Sequence, residues 1–368
     1  MKNVEHSGER RQPARFASAS RVLLAAGTVT LALAGSLWAL RPPGPDRCPP
    51  SGGGPPGALT PYPVPASPER FVQGATLDAT GLDGPEMVAT LRRMRDEYHV
   101  NTVNVYGLEH WDASGGRLDR LFTALRDLDL RLALRVEAYD PATFAFSPQD
   151  VARVVAAHRT LLAHAAAPGN RERVTHIMLN MPVDDPAVQQ RLGGVNSATS
   201  RTRQVTYAAD LVAAVRAATG LPVYVGLFYG WDGSYDIPSY SAAGADGYVL
   251  TNYSYPDPPD RLRAAGDAPS ALINEPRLRT IADRAVRMSG DTPIVVEYGF
   301  HTLTYQHGNM PDQVAGLVAD RNAKEKALRA TTELYCRRYP TVIGTIYFGY
   351  NTLTTEGTPP RRLDFALL

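Results

Sequence analysis

Short apolar runs alternate with longer amphipathic stretches along the C-terminal three hundred or so residues. Each run is six to eight residues long and rich in β-branched and aromatic side chains, which is typical of a buried strand. The runs cover residues 71–78, 101–106, 131–137, 174–180, 222–229, 246–253, 292–297 and 342–348. Eight strands are therefore predicted.

The stretches between these runs have helical spacing. Val88, Leu91, Met94 and Tyr98 fall on one face of a helix, for example, and similar patterns follow most of the other strands. Only the connection over 230–245 lacks a long helical pattern. The alternation of strand and helix predicts a (β/α)8 TIM barrel. A doubly wound open sheet is the alternative, and it is disfavoured because no GxGxxG motif follows the first strand.

The N-terminus has the pattern of a targeting segment. Residues 1–21 are basic, and residues 22–40 form an uncharged, mostly apolar run of nineteen. As a helix this run would rise about 28 Å, close to the thickness of the hydrocarbon core. The basic flank predicts a single-pass anchor with a cytoplasmic tail and an external C-terminal domain. A cleaved signal peptide, with "ALA" at 32–34 as the processing site, would secrete the domain instead.

Residues 41–69 are dominated by proline and glycine and contain little that could form a core. Such a segment is predicted to be a disordered tether. The folded barrel is then expected to occupy residues 70–368.

Composition and charge exclude several other classes of protein. The 38 basic and 37 acidic residues almost cancel in charge, and no dense basic run occurs in the barrel, so nucleic acid is not an expected partner.

Cys48 and Cys336 form no CxxC motif, although a disulfide between them is possible. No metal and no cofactor are expected. No feature of the sequence indicates an oligomer, so we expect a monomer.

Polar side chains gather where the predicted strands end. In a parallel barrel these C-terminal ends form the active face. The residues at these ends are Asp78, Asn104, Tyr106, Glu137, Tyr139, Asn180, Tyr229, Trp231, Asn252, Tyr253, Glu297, Tyr350 and Asn351. Trp111 lies in another loop that follows a strand. Carboxylates, amides and aromatic rings on one rim suit a carbohydrate, because rings stack on sugars and polar groups bind hydroxyls.

Three of these strands resemble those of clan A glycoside hydrolases. "NTVNVY" resembles their second strand, "ADGYVLTNYSY" their sixth and "TPIVVEYGF" their seventh. The resemblance implies that Glu297 is the nucleophile of a retaining mechanism and that Tyr253 (or Tyr255) supports it. It also implies that Asn180 binds the sugar 2-hydroxyl.

Two positions depart from the pattern of that family. The fourth strand ends Asn180-Met181 in place of Asn-Glu, so the usual acid/base glutamate is missing. Asn104 replaces an arginine on the second strand. Asp184, just past the fourth strand, or Glu137, at the end of the third, is the candidate for the second carboxylate.

The remaining predicted site residues would bind substrate. We expect Trp231, Trp111 and Tyr253 to form a platform for sugar rings. The other expected substrate contacts are Asp78, Asn104 and Tyr139.

Each candidate also has a structural interpretation. Glu297 or Glu137 could form an ion pair with Arg135 in the barrel mouth, and Asp184 could be a loop acid or a helix N-cap. Trp111 and Trp231 could cap the rim. The missing acid also leaves open a barrel that binds extracellular or cell-envelope glycans without cutting them, or one in which the rim acids only brace the fold.

Overall fold

The structure is a computed structural model, and its described residues fall within Pro43–Leu368. The described residues are 71–79, 82, 84–108, 111, 116–138, 145–180, 186–194, 197–227, 237–252, 275–299, 321–350, 353–356 and 361–364. The basic tail, the apolar run 22–40 and the tether 41–69 lie outside them and stay predictions. Within the described residues, no helix has the length and apolar character needed to cross a bilayer.

Eight parallel strands close into a barrel. They are β1 Val72–Asp78, β2 Thr102–Tyr106, β3 Arg131–Glu137, β4 Val174–Asn180, β5 Val223–Leu227, β6 Gly247–Thr251, β7 Ile294–Tyr298 and β8 Val342–Tyr347. Each strand pairs with the next, and β8 pairs with β1 through Val72 and Gly344. This closure confirms the predicted (β/α)8 barrel and excludes the open sheet.

Helices follow the strands as the spacing predicts. They are α1 Gly84–Tyr98, α2 Gly116–Asp127, α3 Pro148–Ala157, α4 Arg159–Ala166, α5 Pro186–Arg191, α6 Ala198–Thr219, α7 Ile237–Tyr240, α8 Glu275–Ser289 and α9 Arg321–Arg338. Among its described residues, 237–246, the connection from β5 to β6 contains only the four-residue α7 and a 3-10 turn. An antiparallel hairpin, β9 Leu353–Glu356 with β10 Arg361–Asp364, was not predicted.

Side chains along each strand alternate between the barrel interior and the surrounding helices. The interior is packed by a cluster of its own, separate from the larger core under the helices. Its buried members are Ala133, Met178, Tyr224, Val249, Val295 and Ile346. On β7 this places Val295 inside and Val296 outside. Glu297, two residues after Val295, therefore faces the barrel interior.

Cys336 on α9 is fully buried and is part of a disulfide. The chain contains one other cysteine, Cys48. Cys48 lies outside the described residues, so its pairing with Cys336 stays a prediction.

A buried histidine lies in the barrel interior below the rim. The ring of His176 on β4 stacks on Tyr224 with centroids 4.5 Å apart, and its Nδ1 lies 3.0 Å from the Thr175 hydroxyl. Gly247 on β6 makes room for this stack, because a Cβ there would come within 2.5 Å of the Tyr224 ring. Burial lowers the pKa of His176 to about 4.

Acidification is expected to weaken the barrel through His176. Between pH 6.5 and pH 4 the unfolded chain binds a proton at this ring and the folded chain does not, so stability falls as pH falls through this window. The loss from this one group is about 3 kcal/mol at most. Urea unfolding of wild type and His176→Gln at several pH values measures it. We expect a shallower pH dependence for His176→Gln than for wild type. Equal slopes for His176→Gln and wild type would contradict the assignment.

Candidate active site

One arginine joins two carboxylates at the C-terminal mouth of the barrel. Arg135 on β3 donates from Nε to Oε1 of Glu137 at 2.6 Å, and its Nη1 lies 3.7 Å from Oε2 of Glu297. In an eight-stranded barrel β3 and β7 face each other across the interior. Arg135 therefore spans the mouth and connects its two sides.

The three charged side chains differ in their access to water. Arg135 and Glu297 are 7% and 4% exposed as residues, whereas 30% of the Glu137 side chain is exposed. Burial alone would lower the pKa of Arg135, but the attraction of Tyr106, Glu137 and Glu297 outweighs it and raises that pKa above its ordinary value. Arg135 is therefore a permanent cation at the mouth.

Tyr106 at the end of β2 packs against the same guanidinium. The Arg135 Cζ lies 3.8 Å from the centre of the Tyr106 ring, and Phe348 meets that ring edge to face at 6.0 Å. Burial raises the pKa of Tyr106, and Glu297 and Glu137 raise it further against the opposing effect of Arg135. The phenol keeps its proton and stays a hydrogen-bond donor at the mouth.

Asn180 holds the second oxygen of Glu137. Its Nδ2 donates to Glu137 Oε2, and the two residues are register partners at the ends of β4 and β3. Glu137 is thus held by Arg135 through one oxygen and by Asn180 through the other. The structure brings together three sequence-predicted site residues: Glu297, Glu137 and Asn180.

Asn104 lies inside the barrel below the rim. It is completely buried, and its Nδ2 donates to the carbonyl of Ala133 at 3.0 Å. Its observed contact is therefore with the neighbouring strand, and binding of substrate by Asn104 stays a prediction.

Asp78 and Trp111 have different surroundings. Asp78 ends β1, is half-buried and is the register partner of Tyr106, so it lies at the rim as predicted. Trp111 is 7% exposed, belongs to the core, and has the Arg117 guanidinium 4.5 Å from its ring centre. Trp111 therefore packs in the core, and its place in a sugar platform stays a prediction.

The other predicted site residues lie outside the described residues. They are Asp184, Tyr139, Trp231 and Tyr253, together with Tyr255 as the alternative to Tyr253. Their predicted roles stay predictions.

Two rim predictions are wrong. Asn252 points away from the mouth, and its Nδ2 donates to the Tyr335 hydroxyl of α9. Tyr350 is fully buried, and its ring meets Tyr98 of α1 edge to face. Strand alternation gives the reason for Asn252, since its neighbour Thr251 is the register partner of the inward-facing Glu297.

Two residues of the site, Arg135 and Tyr106, had no predicted catalytic or substrate-binding role. Arg135 entered only as an ion-pair partner, and Tyr106 was placed at the rim without a role. The signal for Arg135 was its spacing of two from Glu137, which puts both side chains on one face of β3. Across the described residues, no group of three or more histidine, cysteine and acidic side chains could hold a metal.

Comparison with known proteins gives structural likenesses at low identity. No family profile matches the chain, and no curated protein does. The chain is similar to a β-glucuronidase from Bacteroides uniformis, with 15% identity, a TM-score of 0.45, and coverage of 78% of this chain and 30% of the other. It thus spans about a third of the length of that protein.

Two shorter proteins align over most of their length. A glycoside hydrolase family 5 enzyme from Prevotella bryantii B14 has 16% identity and a TM-score of 0.42, over 75% of this chain and 89% of the other. A GH113 β-1,4-mannanase has 12% identity and a TM-score of 0.45, over 76% and 88%. None of these likenesses assigns an activity to this chain, and its barrel fold rests on its own strand pairing.

Proposed function

We propose that this barrel hydrolyses glycosidic bonds of extracellular or cell-envelope glycans, with Glu297 as nucleophile and Glu137 as general acid and base. The observation that carries the proposal is the contact of both carboxylates with Arg135 at the C-terminal mouth. Contact with one guanidinium keeps the two carboxyl groups close, as a pair that acts on one glycosidic bond must be.

The first step forms a glycosyl-enzyme. A Glu297 oxygen attacks the anomeric carbon while the bond from that carbon to the leaving oxygen breaks, and Glu137 gives its proton to that oxygen. In the second step Glu137 takes a proton from water, whose oxygen attacks the anomeric carbon and releases Glu297. The proton returns to Glu137, so the enzyme is regenerated. The greater exposure of Glu137 suits the residue that must meet both leaving group and water.

The neighbours of Glu137 support it as the acid in preference to Asp184. Asn180 binds Glu137 directly, so the end of β3 supplies a carboxylate beside the position where the resemblance expects a glutamate after Asn180. Arg135 can hold the charge of Glu137 each time that carboxylate loses its proton. Asp184 is the alternative acid.

Export of the domain fits the same proposal. The disulfide at Cys336 is of a kind that persists in oxidising compartments. We propose that residues 22–40 anchor the chain in the membrane, or are cleaved, and that the barrel acts outside the cytoplasm.

Glu137→Gln is expected to slow the hydrolysis of glycosides with poor leaving groups much more than that of glycosides with good leaving groups. Loss of the acid should lower kcat/KM for glycosides with poor leaving groups by about 10²–10⁴-fold, because the departing oxygen then receives no proton. Aryl glycosides with good leaving groups need little protonation, so their first step should be much less affected. Release of the aryl group from a panel of such glycosides, by wild type and variant, measures the difference. An equal loss for both kinds of substrate would contradict the role of Glu137.

A glycan-binding protein without activity is the second candidate. The observation in its favour is that Arg135 engages both carboxylates while Met181 stands where the resemblance expects the acid. Wild type that releases no aryl group from any panel member, yet binds glycans in titration calorimetry, would support binding and overturn hydrolysis.

A further inference from the structure

The seam between β2 and β3 opens before the strands reach the mouth. Their register ends at Asn104 and Ala133, whereas β3 stays paired with β4 as far as Glu137 and Asn180. Polar backbone groups on the β2 side of β3 therefore need other partners near the site. Asn104 takes one of them by donating to the carbonyl of Ala133.

A histidine is the hydrogen-bond partner of another backbone group on the β2 side of β3. The N–H of Ala138 bonds to Asn180 on the β4 side, and successive amides of a parallel strand point to opposite neighbours. The N–H of Glu137 therefore points to the open seam, where it donates to Nε2 of His158 at 3.3 Å. His158 follows α3, and it is 3% exposed.

The other ring nitrogen fixes the tautomer of His158. Nδ1 lies 2.9 Å from the carbonyl oxygen of Val154, which can only accept, so Nδ1 carries the proton. Nε2 is then unprotonated and able to accept from Glu137. His158 meets both needs as a neutral ring, and both of its nitrogens are used.

The next residue along β3 is held as well. The Tyr207 hydroxyl of α6 donates to the carbonyl oxygen of Ala138 at 2.6 Å. The backbone that follows Arg135 is thus tied to the surrounding helices on one side of the barrel wall, while Arg135 and Asn180 hold the Glu137 carboxylate on the other.

We propose that His158 is a positioning residue for Glu137, which fixes the open end of β3 and so aims the Glu137 carboxylate at the leaving oxygen. The inference rests on the role proposed for Glu137. It predicts that His158 affects proton transfer more than substrate binding.

Two variants and one control test the proposal. His158→Phe keeps the ring and loses the acceptor, and His158→Gln keeps a neutral side chain with one acceptor and one donor. His164→Phe is the matched control, since His164 on α4 also bonds through Nδ1 to a carbonyl of its own helix, that of Thr160, whereas its Nε2 lies 3.3 Å from Asp119 Oδ1 on α2. Two quantities are measured. One is the exchange rate of the Glu137 amide hydrogen, followed by NMR, and the other is the rate of hydrolysis of glycosides with poor and with good leaving groups.

We expect His158→Phe to speed exchange at the Glu137 amide by at least about tenfold, the factor that corresponds to a hydrogen bond of about 1.4 kcal/mol. It should lower kcat for poor leaving groups by up to about 100-fold, with a smaller effect on good leaving groups and on KM. His158→Gln should recover part of both losses, and His164→Phe should show neither.

Unchanged exchange in His158→Phe, or equal losses in the Phe and Gln variants, would overturn the proposal. If wild type hydrolyses no glycoside, the proposed function fails. The exchange measurement then decides by itself whether His158 holds the end of β3.

Discussion

Glu297→Gln is expected to lower kcat/KM for every glycoside that the wild type hydrolyses by a factor of at least about 10⁴, because an amide cannot form the glycosyl-enzyme. The loss should be the same for good and poor leaving groups, in contrast to Glu137→Gln. Gln is nearly isosteric with Glu, and it leaves Arg135 paired with Glu137. The fold should therefore survive, and kinetic assays of the folded variant measure the effect.

Glu333→Gln on α9 is the control for this change. Glu333 also pairs with an arginine, Arg337, but the pair lies on an exposed helix face. This variant should retain full activity. If Glu297→Gln lowered the melting temperature and left both hydrolysis and ligand affinity unchanged, Glu297 would be a structural brace only.

Replacing Arg135 with methionine is expected to lower the free energy of unfolding by about 3–5 kcal/mol, the cost of removing one member of a buried ion pair. Glu297 is almost completely buried and would lose the cation beside it, while Glu137 would lose its hydrogen bond from Nε. The packing of the guanidinium on Tyr106 would also disappear. Urea or guanidinium unfolding at neutral pH measures the loss.

A double variant identifies the cause of that loss. Arg135→Met with Glu297→Gln should recover part of the stability, because the buried carboxylate is then removed along with its partner. Arg337→Met is the surface control, and it should cost less than about 1 kcal/mol, as exposed ion pairs do. A double variant no more stable than Arg135→Met would show that Glu297 is not the group that Arg135 neutralises.

The barrel could be predicted from the sequence because its signals are local. All eight strands lie within three residues of their predicted bounds, and the weak helix between β5 and β6 was visible as a missing pattern. The positions of Glu297 and Glu137 at the ends of predicted strands also placed both at the mouth, since the C-terminal ends of parallel barrel strands form one face. The C-terminal hairpin β9–β10 has no such periodicity over its four-residue strands and was missed.

The contacts of the site depend on residues far apart in the chain. Arg135 was expected to meet Glu297 or Glu137, and the structure shows it meeting both, because β3 and β7 oppose each other only after closure. The partner of His158 depends on where the β2–β3 pairing stops, and no local pattern marks that point. Trp111 lies in a loop, and no local sequence pattern indicated that it would be buried.

Trapping of the glycosyl-enzyme tests the central claim most directly. A 2-deoxy-2-fluoro glycoside with a good leaving group, built on the sugar that the panel identifies, should react once and stall, because the fluorine slows release of the sugar more than its attachment. Proteolysis and mass spectrometry should then find the added sugar on Glu297, and Glu297→Gln should acquire none. A label on Glu137, or continued turnover of natural glycosides with no label on any residue, would contradict the account.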